Sequence, residues 1–390
     1  MKKNILLTGA TGFIGTQIAR YLLKDENVTI IALVRGDSDE DAARKIAREW
    51  WDWPELINSL GSRTEVICGD VSLPNLGLAE PSYRKVTEET THIIHTAADW
   101  RFVPIEELRK TNVEGTANLL EIARKISKHH KLKRFSHVST AYVAGARTGQ
   151  VSEDTLTDEF GFLSDYEKSK YEAELLVQEA KKDLPISVFR PSMVVGDSQD
   201  GSIKTFNTLY YPLRLFLTGR MRFMPVSPSL KINMVPVDYV AKTIVQLTYE
   251  PEAEGLNFHI VAPNEILPTL GELLEFVRRW SEDKLDARLS KPIFFNMSAS
   301  TFKTLLRLQA VFQRKDTRTK NALISLAPYF NEKCQFQRDN VDRLVGSYDM
   351  KWQEILPHLL EYTTYHSFFH RSDRTVHEQV LFRLGRRANQ

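Results

Sequence analysis

The chain has 390 residues, enough for one large domain or two closely joined ones, and its 42% hydrophobic and 26% charged residues are ordinary for a globular protein. Its formal net charge of only +2 argues against a nucleic-acid-binding protein. Cys68 and Cys334 match neither a metal pattern nor a disulfide pattern, so we expect inert thiols in a reducing cytoplasm and no metal site. Because no apolar run reaches the length of a membrane span and the N-terminus leads straight into a strand, we also expect no spanning segment and no signal peptide.

Segments typical of buried strands alternate with helical patterns through the first half of the chain. Strands are predicted near residues 4–7, 28–34, 65–68, 92–95, 135–139 and 186–190. Helices are predicted near residues 16–23, 40–51, 112–122 and 165–180. This alternation implies right-handed crossovers, and it predicts an α/β fold with a Rossmann-type, doubly wound parallel sheet.

Past Gly196 the pattern changes, because prolines and glycines become frequent and the elements shorten. We assign residues 1–290 to a nucleotide-binding domain with substrate-region insertions at about 197–232 and 250–290. A helix from residue 238 toward 247 returns the chain to the main body. Residues 291–390 are predicted to form a smaller, mostly helical C-terminal substrate or cap region.

Three glycines follow the first strand with the spacing Gly9-x-x-Gly12-x-x-Gly15, and a helical pattern comes next. Glycine lets the backbone approach a pyrophosphate closely, and a helix N-terminus offers free N–H groups and a partial positive charge. Glycines in such a turn also serve packing alone. The strand before them and the helix after them favour a dinucleotide site.

The residue that follows the second strand indicates which dinucleotide to expect. Arg35 stands where an NAD enzyme usually has an acidic residue for the ribose 2′-hydroxyl, and a guanidinium binds a phosphate in bidentate fashion. Lys45 on the next helix would add a second positive charge. We therefore predict NADPH as the cofactor. The alternative is that both cations are solvated and neutralised by Asp37, Asp39 and Asp41.

Tyr166 and Lys170 are four residues apart and therefore share one face of a predicted helix. A nearby ammonium lowers the pKa of a phenol, and such a tyrosine can protonate a carbonyl oxygen while hydride reaches the carbon. The alternative is a chance pair on a surface helix. Ser139 and Thr140 at the end of the fifth strand favour the catalytic interpretation, because their hydroxyls are placed to hold the same oxygen.

Six motifs in this order resemble those of an extended short-chain dehydrogenase/reductase. They lie at residues 8–15, 95–98, 112–116, 138–140, 166–170 and 190–192. Within that superfamily the chain resembles the fatty acyl-CoA reductase and thioester reductase branch, with its male-sterility-like NAD-binding domain. The narrower resemblance rests on the long connection between Arg35 and Glu65 and on the segments 69–78 and 233–240.

The resemblance implies a role for each residue at a matching position. Thr140, Tyr166 and Lys170 would form the catalytic triad. The pyrophosphate of the cofactor would be held by Gly9, Thr11, Gly12, Phe13, Ile14 and Gly15, and the 2′-phosphate by Arg35 and Lys45. Asp70 and Val71 would face the adenine, and Ala97 and Ala98 would pass close to the ribose. The nicotinamide would be bordered by Pro191, Ser192 and Met193, and Tyr166 and Lys170 would also contact the cofactor. Asn112 would position its helix or a proton-relay water, with a helix cap as the alternative. The alternative for Asp70 is a turn cap.

Cations alternate with apolar residues in the region after Gly196. The four cations are Lys204, Arg214, Arg220 and Arg222. These cations suit the phosphates of CoA or the acidic helix of a carrier protein, and the apolar residues between them suit an acyl chain. The alternative is an ordinary amphipathic helix with solvated arginines.

Residues 376–387 combine an apolar helix face with arginines. Peripheral contact with a membrane is one interpretation of this pattern, and we favour a docking helix or a frayed tail.

These features lead to one hypothesis and two alternatives. The hypothesis is an NADPH-dependent reduction of an acyl thioester, carried on CoA or an acyl carrier protein, to an aldehyde, with further reduction to an alcohol left open. The first alternative is an NAD(P)-dependent epimerase, dehydratase or hydroxyl dehydrogenase acting on a sugar nucleotide or a sterol-like alcohol. The second is a non-catalytic nucleotide-sensing protein, against which the intact set of Thr140, Tyr166 and Lys170 argues. The oligomeric state stays open.

Overall fold

The fold is built on a parallel β-sheet, seen in a computed structural model that describes residues 2–101, 103–129, 132–204, 206, 209–219, 223–224, 226–295 and 333–366. The strands are β1 (Lys3–Thr8), β2 (Val28–Val34), β3 (Thr64–Cys68), β4 (His92–His95), β5 (Arg134–Val138), β6 (Thr148–Val151), β7 (Ile186–Pro191), β8 (Met193–Val195), β9 (Phe223–Met224), β10 (Met234–Pro236), β11 (Asn257–Ile260), β12 (Ile293–Phe294) and β13 (Lys333–Phe336). The helices are α1 (Phe13–Leu22), α2 (Asp39–Glu49), α3 (Pro54–Ile57), α4 (Glu80–Glu89), α5 (Ile105–Arg109), α6 (Gly115–His129), α7 (Asp165–Ala180), α8 (Tyr210–Leu217), α9 (Val237–Tyr249), α10 (Leu270–Leu285), α11 (Asp339–Leu344) and α12 (Trp352–Tyr365).

Seven strands form the main sheet in the order β3-β2-β1-β4-β5-β7-β11, and all neighbouring strands are parallel. The chain moves outward in one direction from β1 to β3 and then in the other direction from β4 onward. A crevice therefore opens at the carboxyl ends of β1 and β4, where ligands bind in doubly wound sheets. The predicted Rossmann-type sheet is confirmed.

The strands are apolar on both faces because helices cover both sides of the sheet. Ile5 and Leu7 of β1 point into a core that contains residues of α1, α2 and α9. Leu6, between them, points into a second core on the opposite face, with residues of α4, α6 and α7. The uninterrupted apolar run at the N-terminus is thus the signature of a central strand.

Strand β11 lies inside the segment 250–290 that we assigned to a substrate-region insertion, yet it forms an edge of the main sheet. The sequence analysis missed it because polar residues alternate with its apolar ones. Asn257 accepts hydrogen bonds from Gln178 (2.8 Å) and Lys181 (2.6 Å), and the His259 ring is hydrogen-bonded to the carbonyl of Gln337 at 2.7 Å. These partners satisfy polar groups that would otherwise exclude the strand from a buried position.

The helix predicted to span residues 112–122 is longer and irregular. Helical structure runs from Ile105 to His129, with a π-helical turn at Lys110–Glu114 between α5 and α6. Such a turn inserts one residue into the helical ladder and changes the direction of the side chains that follow. Asn112 lies within this turn.

A third apolar core lies in the part of the chain that was predicted to form the substrate region. It contains Tyr210 of α8, Trp280 of α10 and Leu356 of α12, which come from three distant parts of the chain.

The C-terminal part of the chain is attached to the main body by strand β13, which pairs with β6. Among the described residues, no helix is long and apolar enough to cross a membrane. Arg220, Arg222 and the helix predicted within 376–387 lie outside the described residues.

Candidate functional site

The glycine-rich turn between β1 and α1 has the shape of a phosphate-binding turn. Gly9 has a φ of +73°, and a β-carbon there would lie 2.5 Å from Oγ1 of Thr96 and 2.6 Å from the amide nitrogen of Ala97. A β-carbon on Gly15 would collide with the carbonyl of Gly9. Helix α1 begins directly after Gly12. Gly9 and Gly15 are therefore required for the close packing of the turn, while Gly9, Thr11 and Gly12 line a cleft toward which the N-terminus of α1 is directed.

A cleft of about 560 Å³ lies at the carboxyl ends of β1, β2, β3 and β4. Its lining brings together predicted cofactor residues from four places in the chain, namely Gly9, Thr11, Gly12, Arg35, Lys45, Asp70, Val71, Ala97 and Ala98. Phe13, Ile14 and Gly15 form the first turn of α1 beside it. The volume, the glycine turn and the cations fit the adenosine and pyrophosphate parts of a dinucleotide.

Cations gather at the end of the cleft next to β2. Arg35 is exposed, and it forms no ion pair in the part of the chain that the structure describes. Lys45 pairs with Asp41 at 2.6 Å, so its charge is partly compensated, as the alternative interpretation expected. Arg48 and Glu49 also line the cleft, and the sequence analysis missed both. Their spacing of three and four residues from Lys45 on α2 is the signal that would have found them.

Asp70 and Val71 line the cleft, but the carboxylate of Asp70 is already engaged. Its Oδ1 accepts hydrogen bonds from the backbone N–H of Ser72 at 2.9 Å and from the Ser72 hydroxyl at 2.8 Å. Through Oδ1 the side chain thus caps the turn after β3, as the alternative interpretation held.

Helix α7 is attached to the end of β5 by two side chains. Lys170 donates a hydrogen bond from Nζ to the carbonyl of Val138 at 2.9 Å. Ser139 donates one from Oγ to Oε2 of Glu174 at 2.6 Å. Ser139 is thus committed to Glu174, and the neighbouring hydroxyl, that of Thr140, is the one predicted to belong to the catalytic triad.

Thr140 joins the ends of two strands. Its Oγ1 accepts a hydrogen bond from the N–H of Tyr142 at 3.3 Å and donates one to the carbonyl of Pro191 at 3.4 Å. Tyr166 lies in the first turn of α7, four residues before Lys170. The predicted catalytic residues are therefore gathered where β5, β7 and α7 meet.

Burial determines the protonation of the two ionisable residues. It raises the pKa of Tyr166 to about 12, with a smaller contribution from the charge of Glu167. It also lowers the pKa of Lys170 to about 8, against the opposing charge of Glu174. The predicted lowering of the tyrosine pKa by Lys170 is wrong in this structure, because burial raises that pKa, and the ammonium of Lys170 is directed at the Val138 carbonyl. Tyr166 is a phenol, and hence a proton donor, at neutral pH.

Asn112 connects the loop after β4 to helix α7. Its Oδ1 accepts from the N–H of Asp99 at 2.7 Å, and its Nδ2 donates to the carbonyl of Asp99 at 2.9 Å and to the hydroxyl of Ser169 at 2.8 Å. The helix-cap interpretation is wrong, because Asn112 lies inside a continuous helical segment. Ser169 neighbours Lys170, so Asn112 positions α7.

The segment after β7 is fixed by a residue that the sequence analysis did not assign to the site. Ser192 donates a hydrogen bond from Oγ to Oδ1 of Asn233 at 2.8 Å, and Asn233 is also bonded to both backbone groups of Ala262. Met193 begins β8, which pairs with β10 directly after Asn233. Arg190 is buried in an ion pair with Glu174 at 2.5 Å and supports the site from behind.

Two of the cations predicted to face the substrate have other partners or surroundings. Lys204 donates to the carbonyl of Thr11 at 2.8 Å and pairs with Glu49 at 2.9 Å. Arg214 is only 4% exposed. The solvated-arginine alternative is therefore wrong for Arg214, and the charge of Lys204 is compensated by Glu49.

Comparison with known proteins gives a consistent set of similarities. Residues 7–244 match the male sterility protein family of NAD-binding domains. The isonitrile lipopeptide synthase of Mycobacterium tuberculosis is 34% identical over 294 residues, which cover 67% of this chain and 12% of that protein. The L-2-aminoadipate reductase large subunit of Penicillium chrysogenum is 31% identical over 277 residues, which cover 65% of this chain and 19% of that protein.

A solved structure is similar over almost its whole length. The terminal R domain from the myxalamid PKS-NRPS biosynthetic pathway superposes with a TM-score of 0.79 at 25% identity, covering 94% of this chain and 92% of that chain. The chain thus spans less than a fifth of the length of the two curated relatives and corresponds in extent to this single domain.

Proposed function

Since this chain belongs to the male sterility protein family of extended short-chain dehydrogenases/reductases, we propose that it is an NADPH-dependent reductase that converts an acyl thioester into an aldehyde. One observation carries the proposal. Lys170 binds the end of β5 next to Thr140, so the proton-donating tyrosine helix is held at the carboxyl edge of the sheet onto which the dinucleotide cleft also opens. The names of the relatives, which include an aminoadipate reductase and a terminal R domain, point to the same reaction class.

The chain's own residues divide the chemistry among them. When bound, the reduced nicotinamide supplies a hydride to the carbonyl carbon of the thioester. Thr140 and Tyr166 hold the carbonyl oxygen, and Tyr166 transfers its phenolic proton to it. As the carbon–sulfur bond of the resulting hemithioacetal breaks, its hydroxyl returns the proton to the Tyr166 phenolate, and the thiolate leaves and is protonated by water, which gives the aldehyde. No cysteine nucleophile takes part, and Lys170 keeps α7 in position through Val138.

The preference for NADPH rests on the charge at the β2 end of the cleft. Arg35 is exposed and available there, and Arg48 lines the same wall. A guanidinium pairs with a phosphate through two hydrogen bonds, whereas an NAD site would need an acceptor for a ribose hydroxyl. Lys45 contributes less because Asp41 already neutralises part of its charge.

The proposed substrate is a thioester on a carrier protein. The support is that the most extensive structural similarity reported above is to the terminal R domain of a PKS-NRPS pathway. Thioesters of free CoA are the competing source of the same reacting group, because the acyl–sulfur bond is identical in both. The two sources differ only in what the protein must recognise beyond the pantetheine arm.

The test is to incubate the chain with NADPH and a panel of acyl-CoAs and acyl carrier proteins. We expect thioester-dependent oxidation of NADPH with release of free thiol and aldehyde, faster on the carrier protein than on CoA. No oxidation with any thioester would overturn the proposal. Sugar-nucleotide conversion with no net consumption of a bound cofactor would instead favour an epimerase, and tight NADPH binding without reduction of any carbonyl compound would favour a nucleotide sensor.

A further inference from the structure

The carbonyl oxygens of the glycine-rich turn are all occupied by hydrogen-bond donors. The carbonyl of Gly9 accepts from the N–H of Gly12 at 2.8 Å. The carbonyl of Ala10 accepts from the indole N–H of Trp50 at 3.0 Å and from the Thr16 hydroxyl at 3.1 Å. Trp50 is fully buried. Carbonyls fixed in this way cannot turn toward an anion, so the N–H groups of the turn stay directed at the phosphate site.

The third carbonyl is held by a charged residue from the opposite half of the chain. Lys204 donates from Nζ to the carbonyl of Thr11 at 2.8 Å and to Oγ1 of Thr16 at 3.2 Å. Its side chain is 14% exposed, and burial lowers its pKa against the opposing effect of Glu49. A lysine 193 residues away therefore fixes the dinucleotide turn.

The Lys204 ammonium also neutralises the charge of an acidic residue in the cleft wall. Glu49 lines the cleft among Arg35, Lys45 and Arg48, and it pairs with Lys204 at 2.9 Å. An uncompensated carboxylate at this position would repel the phosphates of a dinucleotide and would compete for the guanidinium groups. The ion pair removes that repulsion.

We propose that Lys204 is a positioning residue for the dinucleotide, which it favours by fixing the Thr11 carbonyl and by cancelling the charge of Glu49. The inference rests on the cofactor binding of the proposed function and is independent of the carbonyl substrate. Because Lys204 belongs to the substrate-region segment, the contact also couples that segment to the cofactor turn. Thermodynamic linkage makes this coupling reciprocal: the free energy by which the contact of residues 197–204 with the glycine-rich turn favours NADPH binding equals the free energy by which bound NADPH stabilises that contact.

Equilibrium titration of the full chain with NADPH and with ADP-ribose tests the inference without any turnover. Lys204→Met is expected to weaken NADPH binding about tenfold or more, because a charge-assisted hydrogen bond is lost and Glu49 is left unpaired. Lys204→Arg should bind nearly as well as the parent. Glu49→Gln should bind as tightly as the parent or several-fold more tightly, and Glu49→Gln with Lys204→Met should recover part of the loss. ADP-ribose, which lacks the 2′-phosphate, should lose affinity in Lys204→Met as well, because the Thr11 contact acts at the pyrophosphate.

Lys231 provides the matched control, since it also donates to a backbone carbonyl, that of Asn264 at 2.6 Å, but lies away from the cleft lining. Lys231→Met should leave both affinities unchanged. Hydrogen exchange of residues 197–204 should slow on addition of NADPH in the parent and not in Lys204→Met.

Two results would overturn the inference. If the parent binds NADPH and Lys204→Met binds it equally well, the positioning role is wrong while the proposed function stands. If Glu49→Gln weakens the binding of NADPH, the assigned cancellation of the Glu49 charge is wrong. This variant tests the charge alone, because Lys204 still donates to the Thr11 carbonyl. A parent that binds no NADPH would instead refute the proposed function itself.

Discussion

The dinucleotide cleft and the proposed substrate side of this molecule are specified by the sequence in different ways. Many residues that line the cleft follow directly on strand ends, such as Gly9 after β1, Arg35 after β2 and Gly69 after β3. The substrate-side core instead joins α8, α10 and α12, which are separated by long stretches of chain. A short motif can place a residue at a strand end, whereas the second arrangement depends on packing between distant segments. Changes on the cofactor side should therefore act on binding and chemistry, and changes on the substrate side should act on stability and substrate use.

The largest expected effect is on the chemical step. Tyr166→Phe removes the proton donor, so we expect the rate of thioester reduction to fall about 10²- to 10⁴-fold with little change in NADPH affinity. Tyr171→Phe is the control, because Tyr171 is a buried tyrosine of the same helix that packs against Phe162. A Tyr166→Phe enzyme that keeps the parent rate would contradict the assigned role.

Gly9→Ala tests the turn itself. A β-carbon at Gly9 would overlap Thr96 and the backbone of Ala97 in addition to the strain of a φ of +73°. Gly61 has a φ of +75° with open space around it, so Gly61→Ala isolates the strain, which costs about 1–2 kcal/mol. We expect Gly9→Ala to lose more free energy of unfolding than Gly61→Ala and to lose NADPH binding, as measured by denaturant unfolding and titration. Equal losses would mean that the close approach to Thr96 has no consequence.

Leu356→Ala is the corresponding change on the substrate side. Leu356 is fully buried in α12, so its truncation should cost about 2–5 kcal/mol of unfolding free energy. The KM for the thioester should rise, while the affinity for NADPH in the folded protein should stay within about twofold. Leu175→Ala, at a position that is 45% exposed, should change neither quantity. A large loss of NADPH affinity in Leu356→Ala would remove the distinction between the two sides.

Arg35→Ala addresses cofactor choice. We expect NADPH to bind about 10- to 100-fold more weakly while NADH binding is nearly unchanged, because only NADPH carries the phosphate that a guanidinium holds. Lys45→Ala should have a smaller effect, since Lys45 is already paired with Asp41. If both variants lose NADPH and NADH affinity equally, the 2′-phosphate lies elsewhere.

The smallest expected effect is a pH dependence. Burial lowers the pKa of Lys170 to about 8, so its positive charge is present below that pH and is lost as the pH rises through it. Because the ammonium holds α7 to the Val138 carbonyl, kcat should decline above about pH 8, whereas the phenol of Tyr166, with a pKa of about 12, remains protonated. Lys170→Arg keeps its charge and should move the decline to higher pH. A kcat profile that is flat from pH 7 to about 10 would exclude Lys170 as the titrating group.

The sequence predicted the local features well, because their causes are local. The bounds of β2, β4 and α7 agree with the structure, and the glycine turn, Arg35 and Ala97 lie around one cleft as expected. The sheet follows from the alternation of strands and helices.

The features that were missed depend on long-range contacts. The place of Lys204 is set by a partner 193 residues away, and the strand character of β11 depends on donors from α7. The π-helical turn that holds Asn112 was not predicted, and the partners of Asn112 there, Asp99 and Ser169, lie 13 and 57 residues away. Arg48 and Glu49 are different, since the helical spacing from Lys45 was sufficient to find them.

Transfer of deuterium tests the central claim most directly. The chain is supplied with NADPH deuterated at the transferring position of the nicotinamide and with an acyl thioester on a carrier protein, and the product is analysed for deuterium on the former carbonyl carbon. The account predicts an aldehyde with deuterium on that carbon and one equivalent of thiol released per NADPH oxidised, with both products formed about 10²- to 10⁴-fold more slowly in Tyr166→Phe. An aldehyde without deuterium, or a thioester recovered intact while NADPH is unchanged, would contradict it.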